Sequence, residues 1–316
     1  MGNLFHWVGS ELSNNTKVND MILVGFPSLQ QYNHLLFTAL LCIYAFIITG
    51  NLLICFVIWR ESCLHYPMYF FIAALACSEL CYTAVLIPKM LADLLDKEKK
   101  ISLTGCLLQA YFAHALGALE AYILTVMAFD RYLAICKPLQ YQTIMTSKFY
   151  ISLLAGCFIL GFSTPVLEVV LISFLPFCGP NHIENVLCDF PPLTSLACTD
   201  PMLIYLVEFF VTLFIFMTTL PFVLLSYIRI VHAILGNKSK LGRQKAFSTC
   251  GAHLIVVLLF FSSAIFMYAR FSKSSSVHYD KVVDLIYVVF TPLANPIIYG
   301  LRNHEIKKAL RKFLCH

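Results

Sequence analysis

Charge is scarce in this chain. Asp, Glu, Lys and Arg make up only 12% of its 316 residues, about half the share of a soluble domain, which excludes an ordinary water-soluble globule. With so little charge, no nucleic-acid partner is expected. No metal-ligand or nucleophile spacing such as His-Glu-x-x-His occurs, and the ten histidines are scattered, so an enzyme is not expected. Internal repeats and paired broken helices, which mark many transporters, are missing too. The first 30 residues hold no apolar stretch long enough for a signal peptide, so the first span is expected to direct insertion. Met1-Gly2-Asn3-Leu4-Phe5-His6 lacks the Ser or Thr that a myristoylation signal carries at its sixth position.

Apolar residues fill the space that charge leaves, at 59% of the chain. A helix needs about 20 of them to cross a hydrocarbon layer of about 30 Å. Seven runs suffice: Leu35–Trp59, Pro67–Leu91, Cys106–Tyr132, Phe149–Ile172, Met202–Ile228, Phe247–Ala269 and Val282–Gly300. The expected fold is therefore an all-α membrane protein, a seven-transmembrane helix bundle over 35–300. Residues 1–34 form an extracellular amino-terminal segment and 301–316 a cytoplasmic helix and tail. Most of the 22 Lys and Arg fall on the side that holds Arg131, Arg229 and the carboxyl terminus, which makes that side cytoplasmic. Asn14-Asn15-Thr16 is then an outer glycosylation acceptor. After the seventh span, Ile306, Leu310, Phe313 and Leu314 stripe one face against Lys307, Lys308, Arg311 and Lys312, an amphipathic helix expected to lie on membrane lipids.

Polar residues inside the spans are few and costly, so each is a candidate site. Met127-Ala128-Phe129-Asp130-Arg131-Tyr132 ends the third run with an acid, an arginine and a tyrosine. Gly117, Glu120, Leu124, Met127 and Arg131 recur at three- and four-residue steps, hence on one helix face. Glu79 lies mid-way along the second run and Asn51 within the first. Both acids are expected to point into one polar cavity near Asn51 and Asn295, either sharing a proton or holding a cation. The connection Ser173–Pro201 carries Cys178, Cys188 and Cys198. Three cysteines in an oxidising loop leave one needing a partner elsewhere, for which Cys106 is placed.

Seven spans, Asn51, an acid in the second span, Asp130-Arg131-Tyr132 and Asn295-Pro296-Ile297-Ile298-Tyr299 together resemble a rhodopsin-like G protein-coupled receptor. Pro67-Met68-Tyr69-Phe70-Phe71, Met127 to Cys136, Ser226-Tyr227, Lys245-Ala246-Phe247-Ser248-Thr249-Cys250 and Pro292 to Tyr299 look more narrowly like the vertebrate odorant receptors. Glu79, where that family usually has Asp, and Phe260-Phe261-Ser262, where Phe-Tyr-Gly is common, depart from the pattern.

The resemblance implies a small, mainly apolar odorant as ligand, and a stimulatory olfactory G protein acting through cyclic AMP. It assigns coupling and switching to Asp130, Arg131, Tyr132, Tyr227, Asn295, Pro296 and Tyr299, with Arg131 paired to Asp130 at rest. It pairs Cys106 with Cys188 and Cys178 with Cys198, and favours sodium beside Glu79, Glu120, Asn51 and Asn295 as the sole cofactor. Phe261, Ala264, Ile265 and Tyr268 share a helix face opposite Ala113, His114, Gly117 and Ala118. Val211, Thr212, Ile215 and Val288 complete the ligand wall by family position. Amine receptors carry an acid near Ala113, so a cationic agonist lacks its usual counter-ion at that turn. The competing readings are a rhodopsin-like receptor for a non-odorant small molecule and a proton-coupled transporter using Glu79 and Glu120.

Overall fold

The computed structural model describes residues 20–96, 98–177, 181–236, 240–269 and 277–314, with the side chains of 240–249, 266–269, 277–280, 282–284, 301–302 and 314 outside that description. Asn14, Cys178 and the side chain of Tyr268 therefore lie outside the described residues.

Helices α1 (Asn33–Arg60) and α2 (Pro67–Leu95) begin the bundle. Pro67 occupies the first turn of α2, where its missing N–H costs nothing. The third passage, α3 (Leu103–Cys136), is capped by Ser102, whose hydroxyl accepts from the Gly105 N–H at 3.1 Å. A short α4 (Pro138–Ile144) follows, and then the fourth passage. That passage is one span, Ser147–Ser173, as expected, with a break in its helix at Pro165. Helix α5 (Ser147–Ser163) stops before Pro165, and α6 (Val166–Ser173) resumes beyond it, because proline cannot donate to the turn that precedes it.

The later helices outrun their apolar runs. After a short α7 (Phe190–Thr194), α8 extends from Met202 to Gly236 and α9 from Lys240 to Ala269. Most of the basic stretch between the fifth and sixth apolar runs is thus helix, which a good helix former such as Lys or Gln permits once the ends are in water. The seventh passage is α10 (Val277–Arg302), followed by α11 (His304–Leu314). Five of the seven passages are long and apolar enough by themselves to cross a bilayer. Among the described residues α9 adds a shorter apolar stretch, Cys250–Ile265, and α10 turns 83° into α11.

Helix α3 is the axis of the bundle, touching α2, α5, α8 and α9. Leu119, Ile123, Leu124 and Met127 on it are wholly buried. Two glycines let neighbours approach closely. A Cβ on Gly161 would stand 2.9 Å from the Leu119 Cβ, and one on Gly50 2.9 Å from the Pro296 Cβ. Phe209, Phe210, Phe214, Met217 and Leu224 on α8 stay exposed, which suits a lipid surround and accounts for the chain's apolar excess.

One end of the bundle carries a small sheet that the helical periodicity did not announce. Strand β1 (Asp20–Leu23) lies between β2 (Lys100–Ser102), antiparallel with Met21 opposite Ile101, and β3 (His182–Ile183), parallel with Leu23 opposite Ile183. Met21 and Leu23 are buried against Cys106, Cys188, Phe190 and Ile204. The Cys106–Cys188 disulfide fastens the long connection to the start of α3. Cys198 is also disulfide-bonded, and its backbone N–H donates to the Pro176 carbonyl at 2.9 Å beside the Phe177–Ala197 bridge.

At the opposite end α11 does not simply float on lipid. Ile306 and Ala309 are buried, Phe313 meets Phe56 edge-on at 5.2 Å, and Lys312 pairs with Glu61 at 3.0 Å. The stripe is shared between the bundle and the surroundings, because the tight bend at Asn303 brings it against α1 and α10.

Candidate functional site

The Arg131 end is organised around a fully buried carboxylate. Arg131 Nε donates to Asp130 Oδ2 at 2.9 Å, and its Nη2 bonds the same oxygen. The other oxygen, Oδ1, accepts from the Tyr141 hydroxyl at 2.8 Å. Sequence reasoning missed Tyr141, since its approach depends on how α4 turns after Pro138. Burial, and then the charge of Asp130, push its phenol pKa up, so it stays protonated and keeps donating. Tyr132 is half-buried.

Tyr227 is bonded to the next long helix: its hydroxyl and His253 Nδ1 lie 2.5 Å apart, linking α8 to α9. His253 is fully buried. It sits in the apolar run of α9, and its periodicity alone carries no signal of that partner. The Tyr299 hydroxyl is buried with no hydrogen-bond partner among the described residues.

Midway along the bundle one acid and one amide meet. Asn295 Nδ2 donates to Glu79 Oε1. Asn51 Nδ2 donates to the Ile47 carbonyl at 3.1 Å and to the Pro292 carbonyl at 3.4 Å, a reach across to α10 that the missing side chain of Gly50 allows, with Pro296 seated against it. Among the described residues, Glu79 Oε2, Asn51 Oδ1 and Glu120 Oε1 are buried without a partner, and Glu120 lies within range of the Glu79 charge. Orphaned oxygens of this kind fit a hard cation. Among the described residues no group of three or more His, Cys, Asp or Glu is placed to hold a metal ion.

Toward the sheet, the expected ligand residues divide. Ala118, Phe261, Ala264 and Val288 are buried, and Ala113, Gly117, Val211, Thr212 and Ile215 are partly buried. The nearest atom to a Cβ on Gly117 would be the Tyr287 hydroxyl, at 3.9 Å. Ile265 is a correction: it is 48% exposed. Val257, Phe260, Phe261 and Ala264 are the buried face of α9, and at about 100° per residue Ile265 lies beyond its edge although it is four residues from Phe261.

His114 is already engaged by the long connection. Its Nδ1 donates to the Ala110 carbonyl at 3.0 Å, its Nε2 stands 3.5 Å from Asp189 Oδ1, and its ring stacks on Phe190 with centroids 4.4 Å apart. Gln109 clamps the same connection, its Oε1 accepting from the Cys188 N–H at 3.0 Å. Glu168 and Glu208, which sequence reasoning passed over, are buried in this half as well. A separate cavity of about 410 Å³ opens between α1, α2 and α10, lined by Leu36, Leu40, Met90, Asp93, Leu285 and Val289. None of the expected ligand residues lines it.

Comparison with known proteins covers nearly the whole chain. A family model described as Olfactory receptor matches residues 40–316. Olfactory receptor 6N1 of Homo sapiens is 49% identical over 304 residues, 96% of this chain and 97% of that one. Olfactory receptor 6K6 of Homo sapiens is 48% identical over 297 residues, covering 94% and 86% of the two chains. Olfactory receptor 6Y1 of Homo sapiens is 43% identical over 302 residues, 96% of this chain and 93% of that one.

Proposed function

Because this chain belongs to the olfactory receptor family, a multi-pass G protein-coupled receptor and not an enzyme, we propose that it binds a small volatile molecule in the half of the bundle nearer the sheet and activates a stimulatory G protein, raising cyclic AMP. The sheet end is then extracellular, the Arg131 end faces the cytoplasm of the plasma membrane, and Asn14 carries the glycan. The observation that carries the reading is the clasp on Asp130. Arg131 and Tyr141 hold both carboxylate oxygens, leaving an arginine at the membrane face that is released only when the helices around it move.

An odorant shifts the resting and active conformations by no more than its difference in affinity for the two. Apolar contacts with Ala118, Phe261, Ala264 and Val288 supply that difference, and His114 and Tyr268 orient the ligand. Motion of α9 breaks the Tyr227–His253 bond and lets Tyr227 reach Arg131. Asn295, Pro296 and Tyr299, near the end of α10, which carries two prolines inside it, transmit the change. Glu79, Glu120, Asn51 and Asn295 would hold sodium, which neutralises the two acids when bound and favours the resting state. Membrane lipids would contact the exposed part of α11.

A panel of odorants screened in transfected cells with a cyclic AMP readout tests the proposal. At least one agonist is expected, with the response abolished by Arg131→Ala at equal surface expression. Agonists that keep their potency and efficacy in both His114→Ala and Tyr268→Phe would remove those two residues from the ligand's orientation. A response that ignores loss of Arg131 would sink the coupling mechanism.

A further inference from the structure

Two buried carboxyls have no role in the reading above. Glu168 on α6 is 2% exposed and Glu208 on α8 is 7% exposed, and among the described residues neither makes a hydrogen bond or an ion pair. Both face the same neighbourhood. Glu208 lies within charge-interaction range of Asp189 and Glu168, and Glu168 within range of His114 and Asp189. Helical spacing puts Glu208 on the face of α8 that carries Val211, Thr212 and Ile215, one turn nearer the sheet. Glu168 sits in the first turn of α6, which packs on α8.

One imidazole stands against three acids here, and it is committed. His114 Nε2 is directed at Asp189 Oδ1 at 3.5 Å, and that oxygen also caps α7 by accepting from the Phe190 N–H at 2.9 Å. Asp189 thus has its partners, whereas Glu168 and Glu208 have none. Burying an unpaired carboxyl in a membrane protein is costly, so two of them in one neighbourhood call for a group that arrives from outside. A metal ion does not suit them, because among the described residues no cluster of three or more acidic, His or Cys side chains is placed to hold one.

We propose that the ligand of this receptor carries a protonated amine, whose N–H groups are shared between Glu208 and Glu168 while its hydrocarbon body lies toward Phe261, Ala264 and Val288. A primary ammonium offers three donors in a compact head, and charge-assisted bonds to carboxylates are the strong ones. The absence of an acid at Ala113 does not exclude a cationic agonist, since the counter-ions come from α6 and α8 instead. This inference rests on the odorant-receptor reading and narrows its ligand class.

The test uses the full-length receptor, wild type and with Glu208→Gln, Glu168→Gln or Glu208→Asp. The probes are volatile primary amines, hexan-1-amine and cyclohexylmethanamine among them, each paired with the alcohol of the same skeleton. Cyclic AMP in cells is read beside surface staining, and ligand-induced thermal stabilisation of the solubilised receptor is read independently of coupling. Amines are expected to stabilise and activate the wild type. Either Gln variant should weaken amine potency by roughly ten- to a hundredfold while alcohol responses are unchanged, and Glu208→Asp should recover part of the loss. Stabilisation by alcohols alone, or amine potency unchanged in both Gln variants, would overturn the proposal. An amine that stabilises the receptor without raising cyclic AMP would overturn the coupling reading and support this one. Alcohols that raise cyclic AMP while amines do nothing would do the reverse.

Discussion

Replacing Gly161 by alanine tests the packing that sets α3 in the middle of the bundle. The new Cβ would stand 2.9 Å from the Leu119 Cβ and 3.0 Å from the Leu119 Cα and N, and backbone atoms cannot swing aside as a side-chain tip can. To restore ordinary contact, near 3.5–4.0 Å between carbons, α5 and α3 must separate by most of an ångström. Overpacking of that kind costs about 1–3 kcal/mol, against a gain of about 1 kcal/mol from alanine's better helix propensity. Gly156 provides the control on the same helix, since a Cβ there meets nothing within 4 Å. Gly156→Ala should therefore be neutral or stabilising, and Gly161→Ala less stable than it by about 1–3 kcal/mol, the overpacking term alone. Thermal unfolding of the purified receptor in one detergent measures the difference, with surface delivery in cells as a second readout. Leu119 precedes Glu120, so the same variant should also disturb sodium sensitivity. If Gly161→Ala melts at or above Gly156→Ala, the close approach of α5 to α3 is not what holds the helices in place.

Other outcomes follow from the same geometry. Tyr141→Phe removes one of the two groups holding Asp130; a hydrogen bond to a charged group contributes about 1.5–3 kcal/mol, so basal G protein activation per receptor at the surface should rise, and an unchanged or lower basal signal would count against the clasp. Cys188→Ser frees the long connection from α3, and a native disulfide in a small secreted domain contributes about 2–5 kcal/mol; surface delivery should collapse, measured by staining of unpermeabilised cells. Ala264→Val should change agonist potency whereas Ile265→Val should not, and a reversed order in dose–response curves would return Ile265 to the ligand wall. Replacing sodium by a bulky cation at constant ionic strength should raise basal activation in the wild type and do nothing further in Glu120→Gln; equal effects in both would make the two acids structural glue.

Much of the functional layout was open to a one-dimensional reading because it rests on local chemistry. A span is a run of apolar residues, and α1, α2 and α3 start and stop within a few residues of those runs. Asp130 and Arg131 are adjacent, so their pairing needed no tertiary information. The meeting of Glu79 with Asn295 is different in kind: polar groups inside a bilayer seek each other, and few were available, so chemistry narrowed the choice before geometry did.

Apolar runs, their boundaries and the short-range polar motifs were determined by the sequence itself, since each depends on residues within a turn or two of one another. What remained depended on rotation and long-range approach. Ile265 was placed inward because four-residue spacing describes a face, but only packing against α8 and α10 decides where that face points. Tyr141 reaches Asp130, and Tyr227 meets His253, through contacts between separate helices. Strand β1 finds β2 and β3 across separations that reach half the length of the chain, a pairing that no periodicity encodes. Glu168 and Glu208 look like stray acids near span ends when read along the chain. They become a site only when the packing of α6 against α8 brings them, each nearly buried, to the same neighbourhood.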